Sequence, residues 1–148
     1  MQRETLEGVR VLDIATVIAG PWGAGILADF GAEVIKVEMP GRGDAFRAMG
    51  PLKDGVSTRR PCMGRNKKSV TLDFHYDEGK KLFLELVKKS DVLIENFRTG
   101  TLDKRGIGMT SCARPIPTSS SATSPATARP APTPSWRVSA RRCRRSPA

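Results

Sequence analysis

Residues 9–39, VRVLDIATVIAGPWGAGILADFGAEVIKVEM, decide the fold. The stretch opens with a short apolar run, VRVLDIA (9–15), held between Gly8 and Thr16, which predicts a buried strand. A helix is expected next. Pro21 suits a first helical position, Gly31 suits a helix end, and Trp22, Ile26, Leu27 and Phe30 recur at helical spacing. EVIKVEM (33–39) then reads as a second strand, stopped by Pro40 and Gly41. Strand, helix, strand in so few residues is the unit of a parallel sheet.

The pattern continues toward the C-terminus. KSVTLDF (68–74) predicts a third strand. Asp77 and Glu78 open a second helix, because acids favour the positive helix end. Leu82, Phe83, Leu86 and Val87 form its apolar stripe, with Lys80, Lys81, Glu85, Lys88 and Lys89 facing water. DVLIENF (91–97) is a fourth strand. Between strands two and three, residues 40–65 hold five glycines, three prolines and scattered charges, and a long loop is expected there. The fold class is therefore α/β with a largely parallel sheet.

Residues 109–148 are of another kind. Pro, Ser, Thr, Ala and Arg make up 34 of these 40 positions, and no Asp, Glu, Lys, Gly or Leu occurs. So few apolar side chains cannot offset the entropy of ordering a chain with seven prolines. Two readings are open: a disordered basic tail, or a GC-rich gene read out of frame or truncated. The abrupt switch after Gly108 favours the second. The formal charge of +10 belongs mostly to this segment. Residues 1–108 carry 18 basic against 15 acidic side chains, whereas 109–148 carry seven arginines and no acid. The excess is thus not the field of a folded nucleic-acid-binding surface. Binding of nucleic acid is expected only non-specifically, through the tail and its RRCRR run at 141–145.

Cys62, Cys112 and Cys143 are odd in number and form no C-x-x-C, so neither a disulfide framework nor a metal site is indicated. No stretch reaches the ~18 apolar residues of a membrane helix, and the N-terminus has no signal-peptide apolar run. A cytoplasmic setting with no membrane contact is expected.

In a parallel α/β sheet, ligands sit beyond the carboxyl ends of the strands. Strand one ends in Thr16-Val17-Ile18-Ala19-Gly20-Pro21, where small residues open backbone amides at a helix start. Strand two delivers Glu38, Met39, Pro40, Gly41 and Arg42, and strand four delivers Asn96, Phe97 and Arg98. Lys104 and Arg105 lie one short helix further on. Amide, aromatic and cation together suit a purine with phosphates.

These residues resemble the class III CoA-transferases, the CaiB/BaiF family of formyl-CoA transferases, carnitine CoA-transferases and α-methylacyl-CoA racemases. The likeness runs from about Leu6 to Gly108 in four blocks: LEGVRVLDIATVIAGPWG, LADFGAEVIKVEMPGRGD, GRNKKSVTLDF and SDVLIENFRTGTLDKRGIG. It implies the nucleotide-binding-like N-terminal portion of that fold in residues 1–108, with 109–148 as a separate tail. It implies CoA or acyl-CoA as substrate, exchanged with a carboxylic acid, and no metal. By resemblance, Ile18 and Ala19 lie against CoA, and Met39 lies near the nucleotide. Leu72, Asp73, Phe74 and His75 pass the adenine part, Asn96, Phe97 and Arg98 line the site, and Lys104 approaches the phosphates. Met39 stands where a cation is frequent, and Tyr76-Asp77 where Thr-Pro is frequent.

The family's reaction uses an aspartate downstream of the matching segment, and residues 109–148 contain no Asp, Glu or His. No catalytic residue is therefore assigned, and this chain alone is expected to be inactive. The family's interlocked homodimer is not expected for so short a segment. Two alternatives remain: an acyl-CoA racemase parent, or a non-enzymatic module that binds polyanions through the tail. His75, the only histidine, invites a general-base role, but a surface position at a strand end is the simpler expectation. Arg42-Gly43-Asp44 is read as a chance tripeptide, and Asp13, inside an apolar strand, as a tie for a neighbouring loop.

Overall fold

The structure is a computed structural model that describes residues 4–98, 100–107 and 139–142, the last group as backbone only. Its elements, in chain order, are β1 (Arg10–Asp13), α1 (Ala19–Asp29), β2 (Glu33–Glu38), a 3-10 turn (Ala45–Ala48), β3 (Leu52–Lys53), β4 (Val56–Ser57), α2 (Arg60–Gly64), β5 (Lys67–Thr71), α3 (Asp77–Lys88), β6 (Val92–Glu95), α4 (Thr101–Lys104) and β7 (Ser139–Arg142). The main sheet has the order β5-β2-β1-β6-β7. Its first four strands are parallel, with Leu12 opposite both Ile35 and Leu93, and Ile35 opposite Lys68. The expected α/β class with a parallel sheet is borne out. The carboxyl ends of β1, β2, β5 and β6 consequently share one rim.

Side chains alternate across the sheet, so each face builds its own core. On one face Leu12, Ile14, Val37 and Leu93 pack with Phe83 and Val87 of α3 and with Leu72, Phe74, Leu102 and Ile107. Phe74 meets Phe83 edge-on, ring centroids 4.9 Å apart. On the other face Val11, Ala15, Val34 and Ile94 pack with Ala24 and Ala28 of α1.

The helix expected after β1 is present but seats on its small face. Gly20, Pro21, Ala24, Gly25 and Ala28 are buried against the sheet. Trp22 (50 % exposed), Ile26 (43 %) and Phe30 (56 %), whose spacing predicts the helix, point away from it. A methyl added at Gly20 would lie 2.1 Å from the Ala15 Cβ, so the close approach demands glycine there. Pro21 falls at the third helical position rather than the first, where the backbone N–H still needs no intrahelical partner. In α3 the stripe is likewise narrower than expected, since Phe83 and Val87 are buried and Leu82 is exposed.

One expectation is corrected. Residues 40–65 are not a structureless loop. Asp54 and Gly55, both with positive φ, close a two-residue hairpin between β3 and β4, and α2 follows. Within residues 109–148 the described backbone is residues 139–142, which form β7, antiparallel to β6, with Val92 opposite Arg142. Strand pairing needs only backbone groups, and the β6 edge offers a row of them to a segment with no apolar pattern. The remaining tail positions lie outside the described residues. Among the described residues, no helix is long and apolar enough to cross a membrane.

Candidate functional site

The rim is held together by a buried charge cluster under the exit of β1. Asp13 is fully buried; it takes a hydrogen bond from the Ala15 amide at 3.1 Å and one from Lys67 Nζ at 3.0 Å. Lys67 also donates to the Pro21 carbonyl at 2.5 Å. Burial pushes the Lys67 ammonium below its ordinary pKa, and the Asp13 carboxylate opposes that push. Lys36, buried on β2, lies 3.1 Å from Asp44 Oδ2 and 3.6 Å from Asp13 Oδ1, and donates to the Ala15 carbonyl. Every charge in the cluster has an opposite charge beside it, which is what makes its burial tolerable.

The turn after β1 is fixed from two sides. Asn96, at the end of β6, accepts from the Thr16 amide at 2.9 Å and donates to the Thr16 carbonyl at 2.8 Å. Asp44 accepts from the Val17 amide at 3.0 Å and from the Phe46 amide at 2.9 Å. Val17 has φ +68°, a left-handed conformation rare for a β-branched residue. Ile18 and Ala19 follow directly, exposed at the start of α1.

Beside this turn lies a cavity of about 200 Å³, on the α3 side of the sheet. Thr16, Met39, Gly43, Phe74, Phe97 and Arg105 are among its lining residues. Phe97 packs on the core while its ring faces Arg105, whose guanidinium carbon is 6.0 Å from the centroid. An aromatic face beside a guanidinium is a natural seat for a flat, electron-rich ring bearing negative charge. Glu38 and Asp44 wall the cavity, but both are engaged: Arg47 Nε donates to Glu38 at 2.9 Å, and Asp44 serves the turn. A second cavity of about 170 Å³ lies across that wall, among Lys36, Lys67, Arg47 and Arg60. The first three of these cations are already paired with carboxylates, which leaves that cavity poorly equipped to take a ligand.

The residues singled out in the sequence fall into three groups. Met39, Phe74 and Phe97 converge on the first cavity. Leu72 is buried in the core, and the Asn96 amide is spent on the Thr16 backbone. Ile18, Ala19, His75, Arg98 and Lys104 are exposed along the rim. His75 Nδ1 lies 2.7 Å from Asp73 Oδ1, and the His75 amide donates to the same oxygen at 2.9 Å. The backbone bond first, and the ring second, hold the Asp73 carboxyl below its ordinary pKa. Arg105, not Lys104, enters the cavity. Periodicity carried this signal: Arg105 stands three residues after the buried Leu102 and so shares its helix face. Asp44 was also missed, because only the folded chain brings it to Val17.

The sequence model of CoA-transferase family III matches residues 6–118, past the compositional switch at Gly108. The chain belongs to CoA-transferase family III. Among curated members, the β subunit of succinyl-CoA–L-malate CoA-transferase from Chloroflexus aurantiacus is 52 % identical over 104 residues, covering 70 % of this chain and 26 % of the relative. A formyl-CoA:oxalate CoA-transferase from a Bradyrhizobium species is 47 % identical over 106 residues, covering 70 % and 24 %. A crystal structure of a CaiB/BaiF family protein from Brucella suis superposes with a TM-score of 0.66 at 42 % identity, covering 72 % of this chain and 29 % of that one. The chain thus spans about a quarter of the length of the family III proteins it matches. Among its described residues, no group of His, Cys, Asp and Glu is placed to hold a metal ion.

Proposed function

We propose that residues 1–108 are the CoA-recognising portion of an enzyme that moves CoA between an acyl-CoA and a carboxylic acid. The observation that carries this reading is the convergence of Met39, Phe74, Phe97 and Arg105 on one cavity at the carboxyl rim of a family III sheet. In this reading Phe97 and Arg105 seat the nucleotide, Ile18 and Ala19 bound it along the start of α1, and Arg98 and Lys104 meet phosphate oxygens from the exposed rim. His75 and Asp73 border the adenine.

The transfer itself needs a carboxylate. That group attacks the thioester carbonyl of the acyl-CoA, forming a mixed anhydride and releasing the CoA thiolate. The thiolate then attacks the enzyme's acyl carbon, giving an enzyme thioester and the free donor acid. The acceptor acid repeats the two exchanges in reverse. Asp13, Glu38 and Asp44 are the carboxylates nearest the turn and the cavity, and each is committed to a structural partner. Residues 104–148 contain no Asp or Glu. In this reading none of these carboxylates is the nucleophile, and residues 1–148 on their own are assigned recognition without turnover. Its partners would be the acyl-CoA and the carboxylic acid. The α and β subunits of the succinyl-CoA–L-malate CoA-transferase both resemble this same segment.

Isothermal titration of the 148-residue chain with coenzyme A tests the reading. Saturable heat that is lost on Arg105→Ala is expected. A folded chain that gives no heat would remove the recognition role. Acyl exchange catalysed by the chain alone would instead remove the assignment of recognition without turnover.

A further inference from the structure

We propose that Asp44 is a positioning residue for the ligand rim, holding the β1 exit turn in the one conformation that leads from Thr16, on the cavity wall, to Ile18 and Ala19, exposed at the start of α1. The inference rests on the CoA-recognition reading above. Its basis is the distribution of the Asp44 bonds. One carboxylate, 8 % exposed, takes the amide of Val17 at 3.0 Å and the amide of Phe46 at 2.9 Å, and lies 3.1 Å from Lys36 Nζ. It therefore joins three segments: the turn after β1, the 3-10 turn after β2, and β2 itself.

Val17 cannot be left to find this conformation unaided. At φ +68° its branched side chain crowds its own backbone, and the isolated dipeptide would favour extended or right-handed geometry. The neighbouring Thr16 is fixed independently by Asn96, so the turn has one fixed end and one end that depends on Asp44. Without the Asp44 acceptor, the Val17 peptide is free to rotate. Rotation there redirects the two residues that begin α1. The effect on the ligand passes through the turn, because the Asp44 oxygens are already occupied by protein donors.

The experiment compares the full chain with Asp44→Ala and Asp44→Asn, reading CoA affinity by titration calorimetry, thermal midpoint, and hydrogen exchange of the Thr16 and Val17 amides by NMR. The asparagine keeps one acceptor oxygen for the Val17 amide and loses the charge facing Lys36. Asp44→Ala is expected to lose CoA affinity about tenfold or more and to lose protection at Val17 while Thr16 keeps it. Asp44→Asn is expected to recover Val17 protection and most of the affinity. Unchanged affinity in Asp44→Ala would overturn the proposal, as would an affinity loss in Asp44→Asn as large as in Asp44→Ala. A variant too unstable to titrate leaves the asparagine chain to decide. Should the wild-type chain bind no CoA, the recognition reading fails on its own, and the Val17 exchange still reports whether Asp44 holds the turn.

Discussion

Gly79 lies in the first turn of α3, where helix propensity alone would favour alanine by about 1 kcal/mol. Sterics decide the other way. A Cβ built at Gly79 would sit 1.8 Å from the Asp73 carbonyl oxygen and 2.8 Å from its carbon, both rigid backbone atoms. Gly79→Ala is therefore expected to cost about 1–3 kcal/mol despite the better propensity, read as a lower urea midpoint at unchanged slope. A neutral or stabilising alanine would mean that the chain from Asp73 to Asp77 yields without cost. The same scale shows what a sequence can and cannot disclose. Phe97 and Arg98 are legible as rim residues because they stand where the fourth strand pattern, residues 91–97, runs out. Asp44 is not, because nothing in PGRGDAF says that its carboxylate will meet an amide 27 residues earlier.

At the level of elements, the two helices that flank the sheet are held differently. Helix α3 seats Phe83, fully buried, in the core with Leu12, Val37 and Leu93. Helix α1 seats glycines and alanines, and it turns Trp22, Ile26 and Phe30 outward in a row four residues apart. Phe83→Ala is accordingly expected to cost about 3–5 kcal/mol, whereas Trp22→Ala should change stability by less than about 1 kcal/mol in a monomeric chain. Chemical unfolding of both variants checks the contrast, and comparable losses would mean that the α1 row is covered in solution. Periodicity identified both helices correctly, because any helix with residues at i, i+4 and i+8 repeats on one face. It could not say which face packs. Burial of α1 is set by the approach distance that Gly20 and Ala24 allow, and a hydrophobic count gives small residues little weight. The hairpin at Asp54-Gly55 was legible in principle, since Asp-Gly between two short runs favours a tight turn, but the glycine and proline content of residues 40–65 suggested a plain loop.

Across the whole molecule, the described part is tied at its surface by ion pairs that bridge elements distant in sequence. Glu33 on β2 takes Lys68 of β5 at 2.7 Å and Arg10 of β1 at 2.5 Å, so one carboxylate links three adjacent strands. Asp29 at the end of α1 takes Arg65 Nε, after α2, at 3.0 Å. The Lys68 bond first, and the Arg10 bond second, hold Glu33 below its ordinary value of 4.5; Arg65 does the same for Asp29 from 3.8. A carboxyl whose folded pKa lies below its unfolded one binds fewer protons when folded. Its contribution is therefore complete above the unfolded value and disappears as pH falls through the folded one. Stability should then be flat from neutrality down to about pH 5 and fall below pH 4.5, with Glu33, Asp29, Asp73 and Asp77 all contributing in the same direction. These groups are exposed enough for solvent to weaken each pair, so the decline should be gradual and should shrink in high salt. Glu33→Gln keeps an acceptor between Lys68 and Arg10 but cannot titrate. Thermal midpoints measured from pH 7 to pH 3 should run closer to level in that variant than in the wild-type chain. Parallel curves would take Glu33 out of the acid response and leave it to Asp29, Asp73 and Asp77.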